Sequence, residues 1–284
     1  MIYIHKSGSI NVKQEETLDV KAAWKKVSPS MIRRTDRFIQ LSLLGAYNAI
    51  GQEKIPEESA LYMASGQGNL AVFKRLRDQR YIHKQPPKPV DFINSLSNTS
   101  GFYVAQFFGL LGKNLNVSRH GLVIENILML AQADLELGRE KQILLGGVDE
   151  LQEPLDFTRR TLGLCDDHPL GEGSNWLLLS TQKEEALASI EVLSEQMDSL
   201  KLKAYLSSLQ QKPQVAFGGR CESVWVEEIL KLYDFELFEY ASECDFYETN
   251  PLFALHRFVE EGRGELLFIN TFNAQYRVIK VVLI

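Results

Sequence analysis

The apolar positions in the first half of the chain follow helix and strand periods in turn. Apolar residues spaced by three to four predict a helix over 35–50, and a continuous apolar run predicts a buried strand over 60–65. A strand over 114–118, a helix over 122–137 and a strand over 143–145 follow further along. This alternation of strands and helices is typical of an α/β protein.

The second half continues the alternation with shorter elements. We predict one helix with alternating charges over 183–211. Beyond it we predict short strands and helices in turn, at 215–217, 223–232, 235–240, 251–261, 266–270 and 275–284. The whole chain is therefore predicted to have an α/β fold.

Composition excludes several classes of protein. The 284 residues are 45% hydrophobic, and the net charge of −6 argues against a nucleic-acid-binding protein. No apolar run approaches the roughly 20 residues that span a bilayer, and we see no signal peptide. The cysteines Cys165, Cys221 and Cys244 are widely spaced and odd in number, so we expect free thiols in a reducing cytoplasm.

A strand, a sharp turn and a buried helix are predicted around Gly121. Residues 116–138 supply these elements, and 142–150 adds a strand that ends near a Gly146-Gly147 turn. This arrangement resembles the nucleophile elbow of β-ketoacyl synthases, in which a Cys lies at the first turn of the helix. Counting back from Gly138 and from Gly146-Gly147 places that Cys position at Gly121. Since glycine has no side chain, it cannot carry an acyl group.

Several other blocks resemble the same family and occur in the same order. They lie at 37–41, 46–49, 65–68, 92–101, 109–112, 145–150 and 169–174. The resemblance covers most of the chain, firmly to about residue 182 and loosely beyond. It implies an α/β, thiolase-like layered α/β/α/β/α fold with a shortened second half. The corresponding division is an N-terminal ketosynthase-like half at 1–182 and a reduced C-terminal half at 183–284.

The catalytic groups of that family are missing from this sequence. A synthase uses a Cys thiolate at a helix N-terminus and two imidazoles that assist decarboxylation and stabilise the oxyanion. The resemblance places Gly121 at the position of the family's Cys, Phe217 near the position of the first His and Gln275 near that of the second His. The segment 243–249, near the usual Lys, contains neither Lys nor His. We therefore expect no catalytic residue, no metal site and no cofactor in this chain.

Two other functions stay open at the level of sequence. Ser118 and His120 flank the elbow and could form a relocated nucleophile, as in an acyltransferase or a hydrolase. The chain could also be a standalone acyl-binding scaffold. Glu125 lies inside an apolar helix, where it is either exposed or paired with Arg119 or with a partner chain.

A synthase-like subunit without a nucleophile resembles a chain length factor of type II polyketide systems, most of all the factors of aryl polyene pigment systems. The resemblance implies a pseudoenzyme that forms a heterodimer with an active β-ketoacyl synthase and shapes its acyl tunnel. The residues that would face the partner lie on the strand before the elbow and on an adjoining helix: Asn98, Phe102, Leu115, Asn116, Val117, Ser118, Arg119 and His120.

The segment that follows the small-residue turn at 65–68 is implied to line the acyl tunnel. Its candidate residues are Leu70, Val72 and Phe73, and Phe73 matches a side chain that lines or gates the acyl pocket in the family. A bulky ring there would shorten the tunnel by excluding volume. The basic run that starts with Lys74, Arg75 and Arg77 could dock an acidic acyl carrier protein, or it could be a solvated helix face.

Overall fold

The computed structural model describes residues 1–29, 34–96 and 98–284. Within these residues the strands are β1 (Ile2–Val12), β2 (Ala60–Ser65), β3 (Asn114–Ser118), β4 (Gln142–Asp149), β5 (Glu172–Ser180), β6 (Ala188–Val192), β7 (Gln214–Phe217), β8 (Glu236–Leu237), β9 (Glu265–Phe272) and β10 (Gln275–Leu283). The helices are α1 (Val20–Val27), α2 (Arg37–Ile50), α3 (Leu70–Tyr81), α4 (Pro89–Asn94), α5 (Thr99–Phe108), α6 (Val123–Glu136), α7 (Leu155–Leu162), α8 (Ser199–Ser207), α9 (Ser223–Tyr233) and α10 (Pro251–Glu261).

The strands form one hydrogen-bonded sheet in the order β3-β2-β4-β5-β1-β6-β10-β9-β7-β8. At one end β2 lies parallel between β3 and β4, and at the other end β7 lies parallel between β8 and β9. β1 joins the two ends because it pairs antiparallel with both β5 and β6. The sheet therefore continues across position 182, and the division into halves at 1–182 and 183–284 stays a prediction.

Successive residues of the buried strands belong to two different cores. In β2, Tyr62 packs into a central core with α6 and α10, whereas Met63 packs into an outer core with α1, α2 and α5. In β9, Phe268 belongs to the central core, and Ile269 belongs to a second outer core with α8 and α9. This two-residue period is that of a strand buried on both faces.

Five layers result from this packing. The helices α6 and α10 are central and contact strands of both ends of the sheet, and the two outer helix layers cover the opposite faces. This is the layered α/β/α/β/α arrangement that the resemblance implies. In the described residues, the part of the chain after 183 contributes β6–β10 and α8–α10 and is the smaller of the two. No described helix is long and apolar enough to cross a bilayer.

The single helix predicted over 183–211 is wrong. The chain forms β6 there first, and only the segment of α8 is helical. Ala188, Ile190 and Val192 are buried and alternate with less buried residues, which is a strand period that the surrounding charges conceal. The strand predicted over 235–240 is shorter as well, because β8 contains two residues.

Candidate functional site

The elbow predicted around Gly121 is present in the structure. β3 ends at Ser118, and the chain then turns through Gly121 and Leu122, whose φ angles are 65° and 52°. Two successive residues in the left-handed region make a sharp turn that strains a residue with a side chain such as Leu122. α6 begins at the next residue, Val123. Gly121 therefore lies at the N-terminus of this helix, and it is buried.

The ring of Phe272 takes the place of a side chain on Gly121. An ideal Cβ atom on Gly121 would lie 2.2 Å from Cγ and 2.3 Å from Cδ2 of Phe272. Ordinary van der Waals contacts of a Cβ atom fall at 3.4–4 Å. Phe272 is the last residue of β9. A side chain at position 121 therefore fits only if this ring moves.

Glu248 binds the backbone of the elbow. The N–H of Gly121 donates to Glu248 Oε2 at 3.0 Å, and Arg220 Nη2 donates to Oε1. His120 Nδ1 lies 3.6 Å from the same Oε1. Burial favours the neutral acid, but the neighbouring His120 and the charge of Arg220 outweigh it and lower the pKa of Glu248. A carboxylate therefore occupies the helix N-terminus, where the partial positive charge favours an anion.

Arg220 connects this carboxylate to the rings around it. Its guanidinium carbon lies 5.1 Å from the ring centroid of Phe246 and 5.3 Å from that of Phe272. Nη1 donates to the carbonyl oxygen of Leu162 at 2.7 Å. The side chains of Arg220 and Glu248 are 12% and 4% exposed, so the ion pair is largely removed from water and loss of either partner is costly.

Asp149 holds two turns close to the elbow. Its Oδ1 accepts hydrogen bonds from Gly66 N at 2.7 Å and Ser65 Oγ at 2.9 Å, and its Oδ2 accepts from Thr249 N at 2.9 Å. Burial raises the pKa of Asp149 to about 6 despite these bonds. Asp149 thus fixes the turn after β2 against the residue that follows Glu248.

Glu125 is buried, so the exposed position considered for it is wrong. Asn270 Nδ2 donates to Glu125 Oε1 at 2.7 Å, and Oε2 has no hydrogen-bond partner among the described residues. Burial raises the pKa of Glu125 to about 7, against the opposing bond from Asn270. Arg119 is exposed and donates instead to the His120 carbonyl oxygen at 3.4 Å. The prediction fails because this side of α6 packs in the central core.

An open cavity of about 590 Å³ lies beside the elbow. His120, Arg220 and Phe272 line it, together with residues of α7, α9 and the turn between β9 and β10. Cys221 also lines it, but burial raises the pKa of this thiol to about 12, so it stays protonated at neutral pH. The one imidazole among the lining residues is that of His120. A cavity of this size fits a small molecule, but its lining offers no activated nucleophile.

Solved structures give the same fold. The ishigamide ketosynthase/chain length factor superposes with a TM-score of 0.78 at 14% identity, over 100% of this chain and 99% of that chain. A β-ketoacyl synthase from Burkholderia phymatum superposes with a TM-score of 0.71 at 11% identity, over 100% of this chain and 99% of that chain. The ketosynthase ApeO in complex with its chain length factor ApeC from Xenorhabdus doucetiae superposes with a TM-score of 0.56 at 12% identity, over 98% of this chain and 98% of that chain.

The chain has the thiolase-type fold of the ketosynthases. The fold implied by the sequence resemblance is therefore confirmed. No protein-family model matches the sequence, and no curated protein matches it significantly. At these low identities the likeness to solved structures establishes the ketosynthase fold, and the chemistry of the chain has to be argued from its own residues.

The two residues placed near the family's histidines lie next to residues that line the cavity. Phe217 packs in the outer core, with its ring 5.8 Å from that of Trp225. Gln275 starts β10 and pairs with Phe272 across the hairpin. Neither belongs to the described residues that line the cavity.

The residues that reach the elbow from the second half are Arg220, Glu248 and Phe272, and none of them is among the site residues predicted from the sequence. The positions of Arg220 and Phe272 at the ends of two strands are a signal that could have identified these two residues. β7 and β9 are parallel neighbours, so Arg220 after β7 and Phe272 at the end of β9 meet at one edge of the sheet. Glu248 lies in a loop before α10, and no local pattern identifies it.

The relocated nucleophile considered for Ser118 and His120 has no support in their contacts. Ser118 Oγ donates to the carbonyl oxygen of Ser65 at 3.3 Å. The imidazole of His120 lies instead beside the carboxylate of Glu248. The described hydrogen bonds do not join the hydroxyl to the imidazole, which general-base activation would require.

The residues predicted to face a partner are all at least partly exposed. β3, which carries Leu115, Asn116, Val117 and Ser118, is an edge strand that pairs on one side with β2. Its burial is low for a strand of a parallel sheet, which helices normally cover. On the adjoining α5, Phe102 is 59% exposed, and Asn98, Arg119 and His120 also reach the surface.

The predicted tunnel residues have different environments. Val72 is fully buried, Leu70 is partly buried, and the side chain of Phe73 is 61% exposed on α3. The basic residues that follow are engaged within the chain. Lys74 donates to the Glu153 carbonyl oxygen, Arg75 pairs with Asp91 at 2.8 Å, and Arg77 pairs with Asp78 at 2.7 Å.

Proposed function

We propose that this chain is a chain length factor, a subunit without condensing activity that pairs with an active β-ketoacyl synthase. The observation that carries the proposal is the ring of Phe272 in the place of a side chain on Gly121. In a synthase of this fold, that place belongs to the nucleophile. Here it is filled by an inert aromatic ring.

The electrostatics of the elbow support the same proposal. Condensation needs a free N–H group at the helix N-terminus that can take up developing negative charge. The Gly121 N–H is already bound by Glu248, whose lowered pKa keeps it ionised at neutral pH. Developing charge on a substrate oxygen would therefore meet a carboxylate. At this elbow, therefore, neither a nucleophilic side chain nor a free oxyanion donor is available.

Unpartnered surfaces support the heterodimer. The open edge of β3 has backbone groups that another strand can pair with. Large apolar side chains are exposed on the neighbouring helices and loop, among them Phe92 at 61%, Phe102 at 59% and Leu111 at 78%. Exposed apolar side chains grouped beside an open edge strand favour an interaction surface. An active synthase of the same fold, with its own β3 edge, is the partner that we propose.

Within such a pair, this chain would shape the acyl tunnel of its partner. Phe73 is exposed in the free chain, so it acts on a tunnel only where a partner covers α3. The product would be a polyketide chain, and the sequence resemblance favours an aryl polyene. An acyl carrier protein would deliver the chain. Docking at Lys74, Arg75 and Arg77 would compete with the ion pairs and the carbonyl contact that these side chains already make.

Co-expression tests the pairing. A tag on this chain alone should recover an active ketosynthase in equal amounts, and the tagged chain without that partner should not condense malonyl units. Phe102→Glu should abolish recovery of the partner, because it places a charge in the proposed interface. A soluble, monomeric chain that never binds a ketosynthase and turns over acyl thioesters by itself would overturn the proposal.

A further inference from the structure

The end of α3 and the segment that follows it form a basic protrusion, which we define as residues 80–89. Every residue in it is exposed. Arg80, Lys84 and Lys88 supply three positive charges, and this stretch contains no acidic residue. The whole chain has a net charge of −6. The charge of the basic protrusion is therefore opposite in sign to that of the chain as a whole.

The cations of the basic protrusion are free to meet a partner. Arg75, which lies earlier on α3, pairs with Asp91 at 2.8 Å. In contrast, Arg80, Lys84 and Lys88 make no ion pair with any residue in the described part of the chain. A binding surface that meets these three charges does not have to break existing ion pairs.

The buried residue Gln79 fixes the basic protrusion to the body of the protein. Its backbone carbonyl accepts the Gln85 N–H at 2.9 Å, and its Oε1 accepts the Lys88 N–H at 3.0 Å. Its Nε2 in turn donates to Asp91 Oδ2 at 2.8 Å. The segment is thus held in one conformation before it binds anything, which lowers the entropy cost of binding.

Large apolar side chains lie among these cations. Tyr81 and Ile82 are 69% and 65% exposed, and they follow Arg80 directly. Tyrosine is enriched at the interface between a membrane and water, where its ring lies at the level of the lipid headgroups. Lysine and arginine near such a surface are attracted to anionic lipids. The basic protrusion combines the two kinds of side chain that a peripheral membrane contact uses.

We propose that the basic protrusion binds the surface of an anionic lipid bilayer. Tyr81 and Ile82 enter the headgroup region, and Arg80, Lys84 and Lys88 meet the lipid phosphates. A bilayer accepts an exposed segment of this kind without a matching pocket, whereas a stable protein partner would have to cover about 800 Å² of this chain. The binding is reversible, because three charges and two apolar side chains give a modest affinity.

The membrane contact does not depend on the chain length factor proposal, and the two are compatible. Phe73, which a partner synthase would cover, lies in the first turn of α3, whereas Tyr81 is the last residue of this helix. The two positions are separated by roughly 12 Å along the helix axis. A synthase can therefore cover one end of α3 while the other end contacts a bilayer.

Co-sedimentation of the full chain with vesicles tests the electrostatic part of the proposal. The parent should bind vesicles of equal parts phosphatidylcholine and phosphatidylglycerol, should not bind phosphatidylcholine alone, and should bind less as sodium chloride is added. Arg80→Gln/Lys84→Gln/Lys88→Gln should lower the affinity roughly 10–100-fold.

The control removes the same charge from exposed lysines elsewhere, in the variant Lys21→Gln/Lys54→Gln/Lys141→Gln. This variant should bind nearly as the parent does. Equal losses in the two triple variants, or a parent that does not bind the anionic vesicles, would overturn the proposal.

A second pair of variants tests the apolar contact. Tyr81→Ser/Ile82→Ser should lower the affinity for the anionic vesicles roughly 10-fold. Leu200→Ser/Val224→Ser is the control, because these side chains are 80% and 77% exposed on other helices. Unchanged binding of the Tyr81/Ile82 variant would contradict the insertion.

A purified acidic acyl carrier protein, used in place of the vesicles, distinguishes a membrane from a protein partner. A parent that ignores the anionic vesicles but binds this carrier protein through Arg80, Lys84 and Lys88 would make the basic protrusion a protein-docking surface. That result would overturn the proposal.

Discussion

The ring of Phe272 lies against the α-carbon of Gly121, where a side chain on residue 121 would otherwise be. The two residues come from the two ends of the sheet, one from the turn before α6 and the other from the end of β9. Their fit makes glycine at position 121 a requirement of packing as well as of backbone conformation. An alanine at Gly121 can be compared with an alanine at a glycine that has the same φ but open space around it. The comparison separates the effect of packing from the effect of backbone conformation.

Gly121→Ala should destabilise the fold more than an alanine at a comparable glycine. Gly138 is the matched control, because its φ of 66° is close to the 65° of Gly121 but a Cβ atom there would meet nothing within 4 Å. We expect Gly138→Ala to cost about 1 kcal/mol of unfolding free energy and Gly121→Ala roughly 3–4 kcal/mol. Urea titration measures both, and equal losses would show that Phe272 does not restrict position 121.

Gly121→Cys should not restore a reactive elbow by itself. The new thiol would compete with the Phe272 ring for space and would face the carboxylate of Glu248, which disfavours a thiolate. In a Cys165→Ser background, which removes the exposed native thiol, peptide mass spectrometry should find residue 121 largely unmodified by iodoacetamide. Adding Phe272→Ala should raise its labelling rate. Fast labelling of Gly121→Cys alone would contradict the packing that we describe.

Glu125→Gln should flatten the pH dependence of stability. The folded state holds the Glu125 proton more tightly than the unfolded state, since burial raises its pKa from 4.5 to about 7. The parent should therefore lose stability as pH rises from 4.5 to about 7, and the loss should be complete above that value. Glutamine keeps the acceptor for Asn270 but does not ionise, so the variant should be more stable than the parent by roughly 2–4 kcal/mol at pH 8.

The measurement for Glu125 is denaturant unfolding of parent and variant across pH 4–9. Asp149 and Glu150, with pKa values raised to about 6 and about 8, also contribute to the parent curve. The difference between parent and variant isolates Glu125 from these groups. Glu184→Gln, at an exposed site, is the control and should follow the parent. A Glu125→Gln curve parallel to the parent would contradict the raised pKa.

Phe102→Glu should abolish assembly with a ketosynthase and leave the fold intact. The ring is 59% exposed in the free chain, so its replacement should change the unfolding free energy by less than about 0.5 kcal/mol. Phe157→Glu is the control, because Phe157 is 51% exposed on α7, outside the proposed interface. Co-purification distinguishes the two variants. Recovery of the partner with both would place the interface elsewhere.

Phe73→Ala should lengthen the products of the complex with little effect on stability. The ring is 61% exposed on α3, so any influence on product length has to act through a covering partner. Mass spectrometry of the products from complexes with the parent, with Phe73→Ala and with Phe157→Ala tests this. Products of unchanged length from an intact Phe73→Ala complex would rule out a gating role.

The sequence predicts the local features of this molecule better than its long-range contacts. The strand, turn and helix around Gly121 follow one another along the chain, so periodicity and glycine spacing locate them. The partners of Gly121 do not follow from local pattern. Glu248 reaches its N–H from a loop 127 residues away, and Phe272 arrives by sheet pairing.

Burial in the central core explains two other differences between the predicted and the observed structure, at Glu125 and at β6. Glu125 is an acidic residue among apolar neighbours, and its sequence context does not indicate that its side of α6 is covered. β6 lies in a segment whose alternating charges favour a helix, although it pairs with β1 and β10 in the sheet. In both cases tertiary packing outweighs the local preference.

The most direct test of the central proposal is a reconstituted condensation assay with an active ketosynthase and an acyl carrier protein. The complex of this chain with the intact ketosynthase should condense malonyl units. The same complex, formed with a ketosynthase whose nucleophilic cysteine is replaced by alanine, should show no condensation. Condensation by that inactivated complex, or by this chain alone, would contradict the account, because the nucleophile would then belong to this chain.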